Sequence, residues 1–244
     1  MYSTKCLFVF PAIALMVFSG SYTADASIVV DGTRVIYHAE KKETTVSLKN
    51  NNPAPVLIQS WIDTGDSKVS PDQMRVPFLI TPPINRVDAG KGQSLRISYI
   101  GTSTLPTDRE SVFWLNILEV PAKDKNLSED RNRLTISFRT RIKLFYRPEG
   151  LAGDPTEAAK KLHWTLKNND IVVDNISKYY VSLVSIHYGE ANLKGQIHAR
   201  MIVPGEQQTY RANEPIVHDI KKLQYDVIDD YGAVRTYRPE YSAE

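Results

Sequence analysis

The chain has 244 residues, 42% hydrophobic and 24% charged, with a formal net charge of +2 at pH 7. So small a surplus argues against nucleic acid as a partner, and the single cysteine, Cys6, excludes a disulfide within the chain and a cluster of thiolate metal ligands. The length leaves room for one or two domains held by burial alone.

In chain order, the first element is a targeting segment. Residues 1–26 carry Lys5, a short apolar run interrupted by Pro11, and the small-residue end Ala24-Asp25-Ala26. That is the plan of a secretory signal peptide cleaved after Ala26. A spanning helix needs about 20 apolar residues, and no later segment is apolar enough, so no membrane insertion is expected. Cleavage leaves Ser27 first and removes Cys6, although the destination permits disulfides.

Runs rich in Val, Ile, Tyr, Phe and Thr then recur at 45–48, 56–62, 78–81, 94–100, 112–120 and 134–146, punctuated by Pro, Gly and Asn. Short strands at such spacing predict a β-sandwich. A break follows Arg147-Pro148-Glu149-Gly150. Asp154 then reads as the N-cap of a short helix, with Pro155 first and Glu157 as the capping-box acid. A second β-rich set covers 162–166, 171–173, 179–187, 201–203, 224–228 and 233–237, with a hairpin turn at Asn168-Asn169-Asp170. The predicted fold is all-β, two sandwich domains joined near Pro148: a signal peptide at 1–26, a first domain at 27–147 and a second at 148–244.

Catalytic signals are missing from the sequence. His38, His163, His187, His198 and His218 form no H-E-x-x-H motif and no close pair, and neither G-x-S-x-G nor a phosphate-binding glycine loop occurs. The expectation is a protein that is not an enzyme and needs no metal and no cofactor.

One stretch is specific. Residues 105–121, Leu-Pro-Thr-Asp-Arg-Glu-Ser-Val-Phe-Trp-Leu-Asn-Ile-Leu-Glu-Val-Pro, resemble the signature of the periplasmic pilus (fimbrial) assembly chaperones. Similar segments occur at 31–37, 81–87 and 140–148, with Asp229-Asp230-Tyr231-Gly232 as the best landmark beyond Pro148. The resemblance implies two immunoglobulin-like domains in a boomerang arrangement around an interdomain cleft. It implies a periplasmic chaperone that completes pilus subunits by donor-strand complementation, a form of strand addition, and delivers them to an outer-membrane usher. Subunits and usher are then the partners. The competing reading, a structural pilus subunit or adhesin, calls for a cysteine pair and an alternating N-terminal extension.

The resemblance also implies site residues. Arg34 and Lys143 match the pair that grips the client's C-terminal carboxylate, and both are expected to face a solvated cleft in the free chain. Leu134, Ile136 and Phe138, alternating with polar neighbours, match the donor strand. Simple alternation places Phe138 and Lys143 on opposite faces, so a bulge, or a cleft wrapping the strand end, must reconcile them. Glu110, Arg147 and Asp230 match an interdomain salt bridge, and Leu57, Gln59, Thr81, Pro82, Pro83, Val120 and Pro121 match an usher-facing patch. Some relatives have a disulfide in the second domain, which this chain lacks. The charged loop at 122–133 has no cysteine, so the chain resembles the short-loop class, on the side of rod-forming pili.

Overall fold

The computed structural model describes residues 28–66, 68, 70–101, 104–121, 136–189, 195–213 and 222–240. The expected cleavage site, Leu134 of the expected donor strand, and the loop at 122–133 lie outside them.

Nine strands build the first sandwich: β1 (Ile28–Val30), β2 (Arg34–His38), β3 (Glu43–Asn50), β4 (Val56–Asp63), β5 (Phe78–Thr81), β6 (Ile84–Val87), β7 (Gly92–Tyr99), β8 (Ser111–Pro121) and β9 (Phe138–Arg147). One sheet has the order β1-β3-β7-β5, the other β2-β9-β8-β4-β6. Alternation decides what is buried. Val46, Leu48, Leu95 and Ile97 from the first sheet meet Ile58, Leu115, Ile117 and Leu144 from the second in one core. The odd residues of β4 and β9 and the even residues of β8 therefore point outward.

The edge strand changes sheet. β1 pairs with β3, whereas β2 runs parallel to β9, with Arg34 opposite Lys143 and His38 opposite Arg147. The chain crosses over at Asp31-Gly32-Thr33, where Gly32 has φ +107°, a conformation that favours glycine. Because β2 starts only at Arg34, residues 138–142 have β8 on one side and, among the described residues, no strand on the other.

A short helix, α1 (Pro155–Lys160), opens the second domain. Asp154 caps it as expected, accepting from the N–H groups of Thr156 at 2.8 Å and Glu157 at 3.1 Å. The Glu157 carboxylate turns forward to Lys160 and Lys161. Strands β10 (His163–Lys167), β11 (Asp170–Asp174), β12 (Leu183–Tyr188), β13 (Gly195–His198), β14 (Gln207–Arg211), β15 (Gln224–Ile228) and β16 (Val234–Tyr237) follow. They form sheets β10-β11-β14 and β13-β12-β15-β16 around Trp164, Ile171, Val173, Ile186, Ile202 and Tyr225. The predicted turn joins β10 to β11, with Lys167 opposite Asp170 and Asn168 at φ +55°, which asparagine tolerates. The expected strand at 201–203 reduces to one bridge between Val181 and Ile202.

Candidate functional site: an interdomain cleft and an open strand edge

The two domains face each other across a cleft of about 660 Å³, lined among others by Arg34, Ile36, Phe145, Ser182, Ile228 and Tyr231. The outward face of β2 and the C-terminal end of β9 supply the first wall, and the hairpin between β15 and β16 supplies part of the second.

Glu110, Arg147 and Asp230 come together at the hinge. Arg147 Nε lies 2.7 Å from Glu110 Oε1 and its Nη2 lies 2.9 Å from Asp230 Oδ2. Glu110 is buried, and its other oxygen accepts the backbone N–H of Tyr180 at 2.9 Å. Burial pushes the Glu110 carboxyl above its ordinary value, although Arg147 and the Tyr180 N–H pull the other way. The guanidinium also sits 5.3 Å from the ring centre of Tyr179. One cation thus ties β9 to the second domain. A close contact reinforces it: a Cβ on Gly232 would collide with Thr33 Oγ1, so the hairpin tip rests against the β1–β2 crossover.

Arg34 and Lys143 are neighbours, as the register of β2 and β9 requires. Burial pulls the Lys143 pKa down, and the Arg34 charge lowers it further. Arg34 differs from expectation. It is not simply solvated: its Nη1 donates across the cleft to Ser182 Oγ at 3.1 Å and to the Ile228 carbonyl at 3.0 Å. Its Nε is buried and has no hydrogen-bond partner among the described residues. Such a group is costly to leave unpaired, and it belongs to a guanidinium that lies beside a second cation.

The apolar residues of the expected donor strand are exposed, Ile136 at 55% and Phe138 at 63%. β9 pairs with β8 without a register shift from Phe138 to Tyr146. No bulge lies between Phe138 and Lys143, so the two are on opposite faces of one regular strand. They adjoin because the edge of β9, open among the described residues, ends where Arg34 meets Lys143.

Of the remaining group, Leu57, Gln59 and Val120 lie on the outward face, towards the other side of the same sheet. Leu57 stands opposite Val120 and Gln59 opposite Leu118. The Thr81-Pro82 bond is cis, and the Pro83 carbonyl accepts from the Ser60 N–H at 2.7 Å. Pro121 pairs through its backbone with Val56. Sequence reasoning missed Ile84, which is 56% exposed and sits opposite Gln59. Its signal was available, since it lies within the family-like segment at 81–87.

Two immunoglobulin-like sandwiches meeting at a cleft, one with a strand edge open among the described residues, define a two-domain β-sandwich binding protein. Two family profiles cover nearly all of the described chain: "Pili and flagellar-assembly chaperone, PapD N-terminal domain" matches residues 27–152, and "Pili assembly chaperone PapD, C-terminal domain" matches residues 157–239. The chain belongs to the pilus-assembly chaperone family. It is 45% identical over 229 residues to the chaperone protein FimB/FhaD of Bordetella pertussis, with 92% of each chain covered. It is similar to the CupB2 chaperone of Pseudomonas aeruginosa, at 36% identity and TM-score 0.72, covering 86% of this chain and 99% of that one. It is also similar to a chain of the complex between the Salmonella enterica SafA pilin and the SafB chaperone, at 30% identity and TM-score 0.72, covering 88% and 96%.

Proposed function

We propose that this chaperone binds pilus subunits by lending them the open edge of β9. The observation that carries this reading is the stretch at 138–142, unpaired on one side among the described residues and ending at the Arg34–Lys143 pair. A subunit lacking its last strand exposes an apolar groove and unpaired backbone, both prone to aggregation. A client strand in line with β2, its C-terminus at Arg34, would run parallel to β9. Its carboxylate would take the Arg34 guanidinium and the Lys143 ammonium, in charge-assisted bonds. That anchor sets the register, and a slip of one residue would turn the wrong side chains into the groove. Ile136 and Phe138 would then fill the groove, as Leu134 would from outside the described residues.

In this reading Glu110, Arg147 and Asp230 hold the domain angle. Leu57, Gln59, Thr81, Pro82, Pro83, Val120 and Pro121 face the outer-membrane usher, and Ile84 extends that patch. The domains divide at residues 147 and 148. The protein works in the periplasm after cleavage behind Ala26, and N-terminal sequencing of exported protein is expected to read Ser27 first; a start at Met1 excludes cleavage.

The protein acts without catalysis. A Ser, a His and an Asp do meet in the second domain, but without a relay. Ser185 Oγ and His187 Nε2 both reach Asp226 Oδ2, at 2.6 and 2.7 Å, and Nε2 also faces Ser185 at 3.1 Å. A nucleophile relay needs one imidazole nitrogen for the serine and the other for the acid.

Phe138→Asp tests strand lending. It puts a charge into an apolar groove, a cost of several kcal/mol if the charge stays unpaired, on the order of 3 or more. Because Phe138 is exposed in the free chain, the variant is expected to unfold with the wild-type midpoint while recovery of a co-expressed pilus subunit from the periplasm collapses. Undiminished recovery rules out β9 as the lent strand.

A further inference from the structure

We infer that Asp63 is the positioning residue that holds the open stretch of β9 extended and correctly faced before a client arrives, an inference that rests on the strand-lending reading. Among the described residues, 138–142 are held by backbone pairing on one side only, and such an edge opens easily unless side chains restrain it. The restraint comes from the outward face of the sheet, where Arg139 and Arg141 project.

Asp63 ends β4 and is completely buried. Arg141 reaches it through Nη2 at 2.5 Å from Oδ1 and through Nε at 3.3 Å from Oδ2. Asn116 Nδ2 donates to Oδ2 at 2.7 Å, and the Gly65 N–H donates to Oδ1 at 2.7 Å. Arg141 Nη2 also donates to the Gly65 carbonyl at 2.9 Å. Asn116, itself fully buried, uses its Oδ1 to accept from Arg139 Nε at 3.0 Å. The two guanidiniums lie over indoles, Arg141 at 4.8 Å from Trp114 and Arg139 at 5.4 Å from Trp61. One buried carboxylate therefore ties β9 to β8 and β4 across three strands. Burial works to raise the Asp63 pKa, yet the bonds from Arg141, Asn116 and Gly65 hold it below the usual aspartate range, so the anchor stays charged.

Stability alone is a weak reason for such a network, because well-packed apolar residues often serve as well as a buried ion pair. Direction is what it adds. Fixing Arg139 and Arg141 on one face of a strand fixes Phe138 and Thr140 on the other, the face that would enter the client. A strand already extended and aimed pays less ordering entropy on binding.

The test uses the mature chaperone with Asp63→Asn, which keeps the side-chain shape and removes the charge. Hydrogen exchange of the free protein is expected to quicken by about tenfold or more at the amides of residues 138–142 that face β8, with β11 and β15 unchanged. The second readout is the off-rate of an alternating valine–threonine peptide with a free C-terminal carboxylate, expected to rise together with exchange. Unchanged exchange, or a uniform rise across the first domain, overturns the positioning role. Failure of the wild type to hold the peptide counts against strand lending and leaves the exchange result to judge Asp63. If Asp63→Asn does not fold, Arg141→Lys, which retains charge without the fork, is judged by the same two readouts.

Discussion

Lys143→Glu is expected to leave a folded chaperone that recovers no pilus subunit. Lys143 spends its charge against that of Arg34, and burial already disfavours the ammonium, so its removal relieves repulsion in the free chain. In a complex the client carboxylate would lose a partner while partly desolvated, a loss of about 2–5 kcal/mol. That is roughly 30-fold or more in affinity, and the new glutamate adds repulsion. Arg34→Ala should abolish recovery too, but with a second effect. The bonds from Arg34 to Ser182 and Ile228 cross the cleft, and losing two such bonds is expected to cost the free protein about 1–3 kcal/mol. The two cations are thus separable by thermal unfolding: Lys143→Ala at or above the wild-type midpoint, Arg34→Ala below it. Co-expression with a subunit that co-purifies with the wild type measures recovery. Normal recovery with both Lys143→Glu and Arg34→Ala refutes the carboxylate anchor.

Arg147→Ala should have the largest effect on the free protein. It leaves Glu110 buried beside no cation, and breaking a buried pair from one side typically costs about 3–5 kcal/mol. The double variant Arg147→Ala with Glu110→Gln is expected to regain part of that, because no charge then stays buried unpaired. The deficit should also depend on pH. The folded-state pKa of Glu110 is raised above its ordinary value, so the folded chain holds that proton more tightly than the unfolded chain. Lowering the pH through the raised value towards the ordinary one therefore favours folding. Without Arg147 the shift grows, so the deficit is full above the variant's pKa and narrows as Glu110 takes up its proton. Urea unfolding of both variants across acid and neutral pH, with small-angle scattering for domain orientation, checks this. A deficit independent of pH, or a scattering profile identical to wild type, would contradict the hinge role.

Periodicity and turn chemistry made much of the fold legible. The run at 78–81 and the run at 224–228 coincide with β5 and β15, and Asp154 and Asn168 do what their residue types favour. Of the strands that were missed, β1, β2, β6, β13 and β14, all but β2 have weak local signals. β14 reads Gln-Gln-Thr-Tyr-Arg, and β1 and β6 have three and four residues. They are strands because an existing sheet offers each a partner, and no single-chain pattern records that offer.

The sequence by itself determined the export signal reading, the all-β class, the family motifs and the residue types of the cleft. Those are properties of local order, and the motif at 105–121 is long enough to be specific. Only the tertiary structure decided how they act together. It put Arg34 beside Lys143, turned Arg34 across the cleft, left one edge of residues 138–142 without a partner strand among the described residues, and buried Asp63 under Arg141. The physical reason is that β2 leaves one sheet for another at Gly32, and the register that follows is set by backbone bonds between residues far apart in the chain. Alternation says which side chains share a face; pairing between distant strands says which faces meet.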